Sequence, residues 1–169
     1  MTRLRIVLAA QLLLFAAWGG WLLSSKGTVA PEFYLETVPV DPRDFLSGTF
    51  VALTYKISAP EPCRKVIGSR SFAQVYVKLE EGLFSATTPA GPVKLYEATD
   101  CAEHPGDGVW VRASVQGGGA GPLRALYGIE RFYLNENDPR KNAGSGSVVA
   151  KVKPGRRNAL VLLDLVQKL

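Results

Sequence analysis

An uncharged apolar run from Ile6 to Leu23, "IVLAAQLLLFAAWGGWLL", constrains this chain more than any other feature. Its eighteen residues would span about 27 Å as a helix, close to the thickness of a bilayer's hydrocarbon core. Gln11 is its one strongly polar side chain, and Trp18 and Trp21 sit near the far end, where amphipathic rings favour the membrane interface. Arg3 and Arg5 precede the run and only Lys26 closely follows it, so the positive-inside rule places the N-terminus in the cytoplasm. A cleaved signal peptide shares the basic start and apolar core. However, the run is longer than a signal core, and the small residues Thr28 and Ala30 are followed by Pro31, a poor cleavage junction. The reading is an uncleaved anchor: residues 1–26 form a cytoplasmic tip and one transmembrane helix, and residues 27–169 form an exported domain.

Charge narrows the partners. Lysine and arginine outnumber acids 20 to 15, a net +5, but Arg3, Arg5 and Lys26 flank the apolar run. Without them 17 basic residues face 15 acidic ones, so the exported part is close to neutral. Stripes of basic and aromatic residues are absent, and nucleic acid is not an expected partner. Seventeen glycines and eleven prolines predict many turns, and so a β-rich chain rather than a helical bundle.

Period-2 alternation bounded by Gly, Pro, Asn and Asp supports that class. It predicts strands at 32–40, at Thr49 to Ile57, at 73–80, at 83–87 after a turn at Glu81-Gly82, at 108–116, at 125–134, at 148–153 and at 159–167. The last segment also has the spacing of an amphipathic helix capped by Asn158, but its β-branched residues and preceding turn favour a strand. Loops are expected at 86–107, 117–122 and 137–147. Such a set of short strands predicts a mostly β fold, a small barrel-like or sandwich domain preceded by one N-terminal transmembrane helix.

The stretch "SGTFVALTYKI" (47–57) places Thr49, Val51, Leu53, Tyr55 and Ile57 on one face of a strand, a core face. A buried Tyr55 needs a partner for its hydroxyl. "DPRDFLSGTFVALTY" resembles the signature of the GDYXXLXY family, a group of membrane-anchored bacterial proteins of unknown function. Gly48, Leu53 and Tyr55 match the motif, and Phe50 stands in its Tyr position. "YGIERFYLNE" (127–136) is similar to a second stretch of that family, and the leading apolar run fits as well. The resemblance implies an extracytoplasmic domain tethered to the bacterial inner membrane, facing the periplasm or the exterior, and implies no known reaction. Thr49 replaces the motif's Asp, so no carboxylate role carries over.

Cys63 and Cys101 are a disulfide candidate, because the compartment is oxidising. The alternative is a metal shell built on Cys101 and His104 with Cys63, Asp100 and Glu103, for which the single Cys-x-x-His spacing is weak support. Alternation places Glu130 among apolar neighbours, so a buried carboxylate there needs a cationic or hydrogen-bonding partner, with Arg43 in the "DPRD" turn as the first choice. Arg43, Tyr55, Glu130 and Arg131 are therefore the candidate binding residues. No nucleophile elbow, phosphate loop, metalloprotease helix or Ser/His/Asp grouping is present, and no catalytic residue, metal or cofactor is assigned. The expected function is a non-enzymatic binding or assembly module acting with an integral membrane partner. The alternative is an extracytoplasmic hydrolase.

Overall fold

Alternation of buried and exposed side chains builds most of this protein. The computed structural model describes residues 2–24, 31–38, 50–117, 121–133 and 146–169, with the side chains of the first helix described at 5 and 7–20. The chain divides into two units, Met1–Ala30 and Pro31–Leu169.

The first unit is one helix, α1 (Thr2–Ser24). Val7, Leu8, Leu12, Leu13, Leu14, Phe15 and Trp18 are each more than half exposed. Among the described residues, no helix is long and apolar enough to cross a membrane. The expectation of a transmembrane helix is corrected to that extent.

The second unit is mostly β. In chain order its strands are β1 (Phe33–Val38), β2 (Phe50–Ala52), β3 (Thr54–Tyr55), β4 (Phe72–Thr88), β5 (Gly91–Ala102), β6 (Val109–Gln116), β7 (Arg124–Leu126), β8 (Arg131–Tyr133), β9 (Val148–Pro154) and β10 (Leu160–Gln167). The short helix α2 (Cys63–Ile67) lies between β3 and β4. The main sheet runs β10-β9-β1-β5-β4-β6-β7, with β3 on β1, and β2 pairs with β8 in a separate two-stranded sheet. The domain is thus an open half-barrel where a closed barrel or sandwich was expected.

β1 is the hub. It pairs antiparallel with β9 and β3 and parallel with β5, where Tyr34 faces Leu95. Its alternate residues Phe33, Leu35 and Thr37 are buried. Thr37 is a polar residue in the core, and its hydroxyl donates to the Val148 carbonyl and accepts the Gly146 amide. Ala73, Val75, Val77 and Leu79 of β4 and Val111, Ala113 and Val115 of β6 fill the same core. A second, smaller cluster unites Ala86, Leu95 and Val149, and it draws on β4, β5 and β9. Val148 and Ala150 belong to the first cluster and Val149 to the second, so the sheet is covered on both faces there.

Three expected boundaries change. Residues 73–80 and 83–87 are one strand, because Glu81-Gly82 does not reverse the chain. A Cβ on Gly82 would lie 2.8 Å from Glu97 Cγ and 3.0 Å from the Leu95 carbonyl oxygen, so its glycine allows close approach of the neighbouring strand. The expected 86–107 loop is largely β5. Leu95 and Cys101 are an even number of residues apart yet pack in different clusters, since the register shifts where Thr99 bulges out, and the period-2 signal is lost. The expected strands at 49–57 and 125–134 are each broken in two, for reasons that belong to the site below. The 159–167 segment is a strand, as expected.

Cys63 of α2 and Cys101 of β5 form a disulfide with Cα atoms 5.0 Å apart, which removes both sulfurs from the alternative metal shell. Replacing both cysteines by serine should lower unfolding stability by about 4 kcal/mol, since the bridge closes a separation of 38 residues. A denaturant titration against the parent chain checks this, and an unchanged midpoint refutes it.

Candidate functional site

The two signature-like stretches meet in the core and hold each other. Val51, Leu53, Tyr55 and Ile57 are all buried, as their shared face required. Strand geometry fails at Leu53, where the chain leaves its pairing with β8 and joins β1. At that crossing the Leu53 amide donates to the Glu130 carbonyl oxygen at 2.8 Å. The Tyr55 hydroxyl donates to the Ile129 carbonyl oxygen at 2.6 Å, and the Tyr127 hydroxyl donates to the Ile57 carbonyl oxygen at 2.7 Å. Each stretch therefore contributes one buried tyrosine that bonds the backbone of the other.

Glu130 shapes the second stretch. Its carboxylate accepts the Tyr127 amide at 2.5 Å and the Gly128 amide at 3.0 Å. That closes a turn between β7 and β8, and Gly128 supplies the positive φ of 83° that the turn needs. The expected alternation from Tyr127 to Tyr133 ends there: Tyr127 and Ile129 are buried, whereas Arg131 and Tyr133 are exposed. Among the described residues the carboxylate's hydrogen-bonding partners are these backbone amides; Arg43, the expected cation, lies outside them. Burial first, and the Glu130 charge second, hold the Tyr55 and Tyr127 hydroxyls above the ordinary tyrosine pKa.

The three described candidate binding residues are not gathered into one cleft among the described residues. Tyr55 is buried in the tyrosine latch, Glu130 is half-buried at its turn, and Arg131 lies on a shallow groove of about 390 Å³ with Phe132 and Tyr133. Arg43, Gly48 and Thr49 lie outside the described residues.

The family model of the GDYXXLXY protein matches residues 12–163. The chain belongs to the GDYXXLXY family. No curated protein and no solved structure matches it. In this GDYXXLXY protein the Leu and second Tyr of the signature, Leu53 and Tyr55, are core residues, so the signature specifies the latch.

A second constellation escaped the sequence reading. Lys56, one residue past the signature tyrosine, lies 4.5 Å from the centre of the Phe84 ring. Glu97 binds its ammonium at 2.8 Å and Glu36 lies 3.6 Å from it. The Glu97 hydrogen bond, against a smaller opposing effect of burial, keeps Lys56 above the usual lysine pKa. Clefts of about 380 and 470 Å³ both include Lys56 and Phe84 in their walls. Leu83 is 93% exposed and Phe84 59% exposed. One signal for this was present: two large apolar residues side by side in a strand point to opposite faces, so one of them faces away from any single core.

Two expectations test the latch. Tyr55→Phe should cost about 1–3 kcal/mol, because the buried Ile129 carbonyl loses its donor, and Leu53→Ala should cost about 2–5 kcal/mol through the cavity it leaves. Chemical denaturation reads both, and a fully stable Leu53→Ala would remove Leu53 from the core. Alkali supplies the other test. Unfolded tyrosines ionise near ~10, while the latch tyrosines stay protonated in the fold, so above that pH the native state binds more protons. Stability should fall by about 1.4 kcal/mol per pH unit for each latch tyrosine, and the double Tyr55→Phe/Tyr127→Phe chain should show a flatter alkaline limb. An identical limb would contradict the assignment.

Proposed function

We propose that this GDYXXLXY protein is a non-enzymatic binding or assembly module held at the bacterial inner membrane by α1, with its β domain outside the cytoplasm. The bulge of β4 at residues 82–84, where its pairing with β5 is interrupted between Glu81 and Ser85, is its docking face, and α1 makes the contact with an integral membrane partner. The observation that carries the reading is the exposure of Leu83 and Phe84 beside a charge-fixed Lys56. Large apolar side chains clustered at the surface mark interaction sites. The disulfide supports an oxidising compartment. The described length of α1 carries apolar side chains without an amphipathic division, which supports burial in lipid or in a partner. Two of the candidate groups of the hydrolase alternative, Tyr55 and Glu130, are engaged in the latch, which supports the binding reading over it.

A photo-reactive amino acid at position 83 tests the docking face in intact cells. The chain should remain with carbonate-washed membranes, and position 83 should give a discrete cross-linked adduct that the exposed position 99 does not. Equal labelling at both positions, or none at 83, would remove the docking face.

A further inference from the structure

The hairpin that joins β9 to β10 ends in a turn built against conformational preference. The Ala159 amide donates to the Arg156 carbonyl oxygen at 3.2 Å, and the Gly155 amide donates to the Ala159 carbonyl oxygen at 2.6 Å. Between them Arg157 has φ 54° and ψ 36°, and Asn158 has φ 60°. These are the two left-handed positions of a type I′ hairpin turn, which favours Asn-Gly because most L side chains are strained there. Asparagine suits such a position and arginine does not. Asn158 also braces the tip, its side-chain amide donating to the Trp110 carbonyl oxygen at 2.9 Å. A strained residue held by a fixed turn points to a role for its side chain.

What that side chain supplies is charge, and its surroundings add to it. Val152 pairs with Phe33, the first residue of β1, so Lys153 and the turn project past the end at which the chain enters the sheet. Arg156 and Arg157 are exposed at the tip. The carboxylates of this region are engaged with lysines. Lys151 binds Glu32 at 2.6 Å, Asp164 stands opposite Lys151, and Asp107, in the loop before β6, lies within electrostatic reach of Lys78. Arg157 has no ion pair among the described residues.

We propose that this tip rests on a surface of anionic phospholipid, with Lys153, Arg156 and Arg157 on the headgroup phosphates. The inference rests on the reading of α1 as a membrane anchor. Chain order argues for that occupant. β1 is the first strand after α1, and the eight residues 25–32 between them reach at most about 29 Å fully extended. A bilayer that holds α1 is therefore within reach of the end that carries the tip. Cations at an anionic surface each strengthen binding about fivefold, an effect lost beyond a Debye length of ~8 Å, so a projecting tip gains what a recessed patch would not. Guanidinium groups match phosphate oxygens in paired hydrogen bonds, which suits two arginines to this place.

Headgroup quenching of the full chain in lipid vesicles tests this. The two cysteines of the chain are joined, so one added cysteine carries a single fluorophore. Val161, which pairs with Lys153 beside the tip, and Gln167, at the other end of β10 about 20 Å away, are both exposed. In vesicles of phosphatidylcholine mixed with phosphatidylglycerol, a spin-labelled headgroup should quench the fluorophore at Val161→Cys strongly and that at Gln167→Cys weakly. In phosphatidylcholine alone, or in molar salt, the contrast should vanish. Arg157→Asn puts a residue suited to the left-handed region at the tip. It should unfold at the same or a higher denaturant concentration, yet lower the ratio of lipid-bound to free tip about fivefold. Equal quenching at both positions in the anionic vesicles overturns the proposal, as does an Arg157→Asn chain quenched like the parent. Loss of the contrast on adding inorganic phosphate at constant ionic strength also overturns it, and makes free phosphate the occupant. Flotation with phosphatidylcholine vesicles reports α1 separately. A chain that fails to float there refutes the anchor; flotation with the anionic vesicles then reads the tip alone, and Arg157→Asn floating like the parent overturns the proposal.

Discussion

Two crossed hydrogen bonds tie this domain together. Tyr55 bonds the backbone at Ile129, and Tyr127 bonds the backbone at Ile57. Both hydroxyls are buried, so each bond satisfies a donor and a carbonyl that could not otherwise be desolvated cheaply. Between them, the Leu53 amide meets the Glu130 carbonyl where the chain passes from the small sheet to the large one. The consequence is long-range order: segments 70 and 74 residues apart in sequence are fixed in register. β2 and β8 can then pair, and β3 can reach β1.

The latch gives the described part of the signature a conformational role. Leu53 fills the core, Tyr55 bonds across it, and Glu130 folds the backbone that presents Ile129. A carboxylate that accepts two backbone amides is engaged in building a turn, and a tyrosine held above its ordinary pKa by burial is not poised to act as a base. The chemistry of the signature is conformational, and what it positions lies one residue further on. Lys56 emerges from the latch beside the β4 bulge, so the latch and the exposed apolar face are neighbours in space.

That face is made by irregularity. β4 is long enough to serve two neighbours, with β6 on its first half and β5 along most of its length. Where β6 ends, an ordinary strand would leave a flat edge. Here the pairing with β5 lapses over Gly82 to Phe84, and the chain presents two large apolar side chains to solvent. The same hairpin turns its Ala86 and Leu95 inward to the second cluster, so the exposed residues stand on a packed base.

Local patterns in the sequence determined the elements whose faces alternate without interruption. The buried sets along residues 75–79 of β4 and 111–115 of β6 could be read directly, and so could the core roles of Leu53 and Tyr55, because a strand with one buried face writes its burial in period two. The sequence also brought Cys63 and Cys101 forward as a pair, on compartment and count. Tertiary structure decided everything that depends on a partner from elsewhere in the chain. β5 carries a bulge opposite β4 and so loses its alternation. Gly82 reads as a turn until Glu97 is seen against it. Glu130 called for a partner, and backbone amides two and three residues away, folded back by their own turn, supplied it. Whether Phe84 is core or surface depends on where β6 stops, and no residue near position 84 records that. A side chain's own periodicity tells which way it points, but only the packed neighbours tell what it meets.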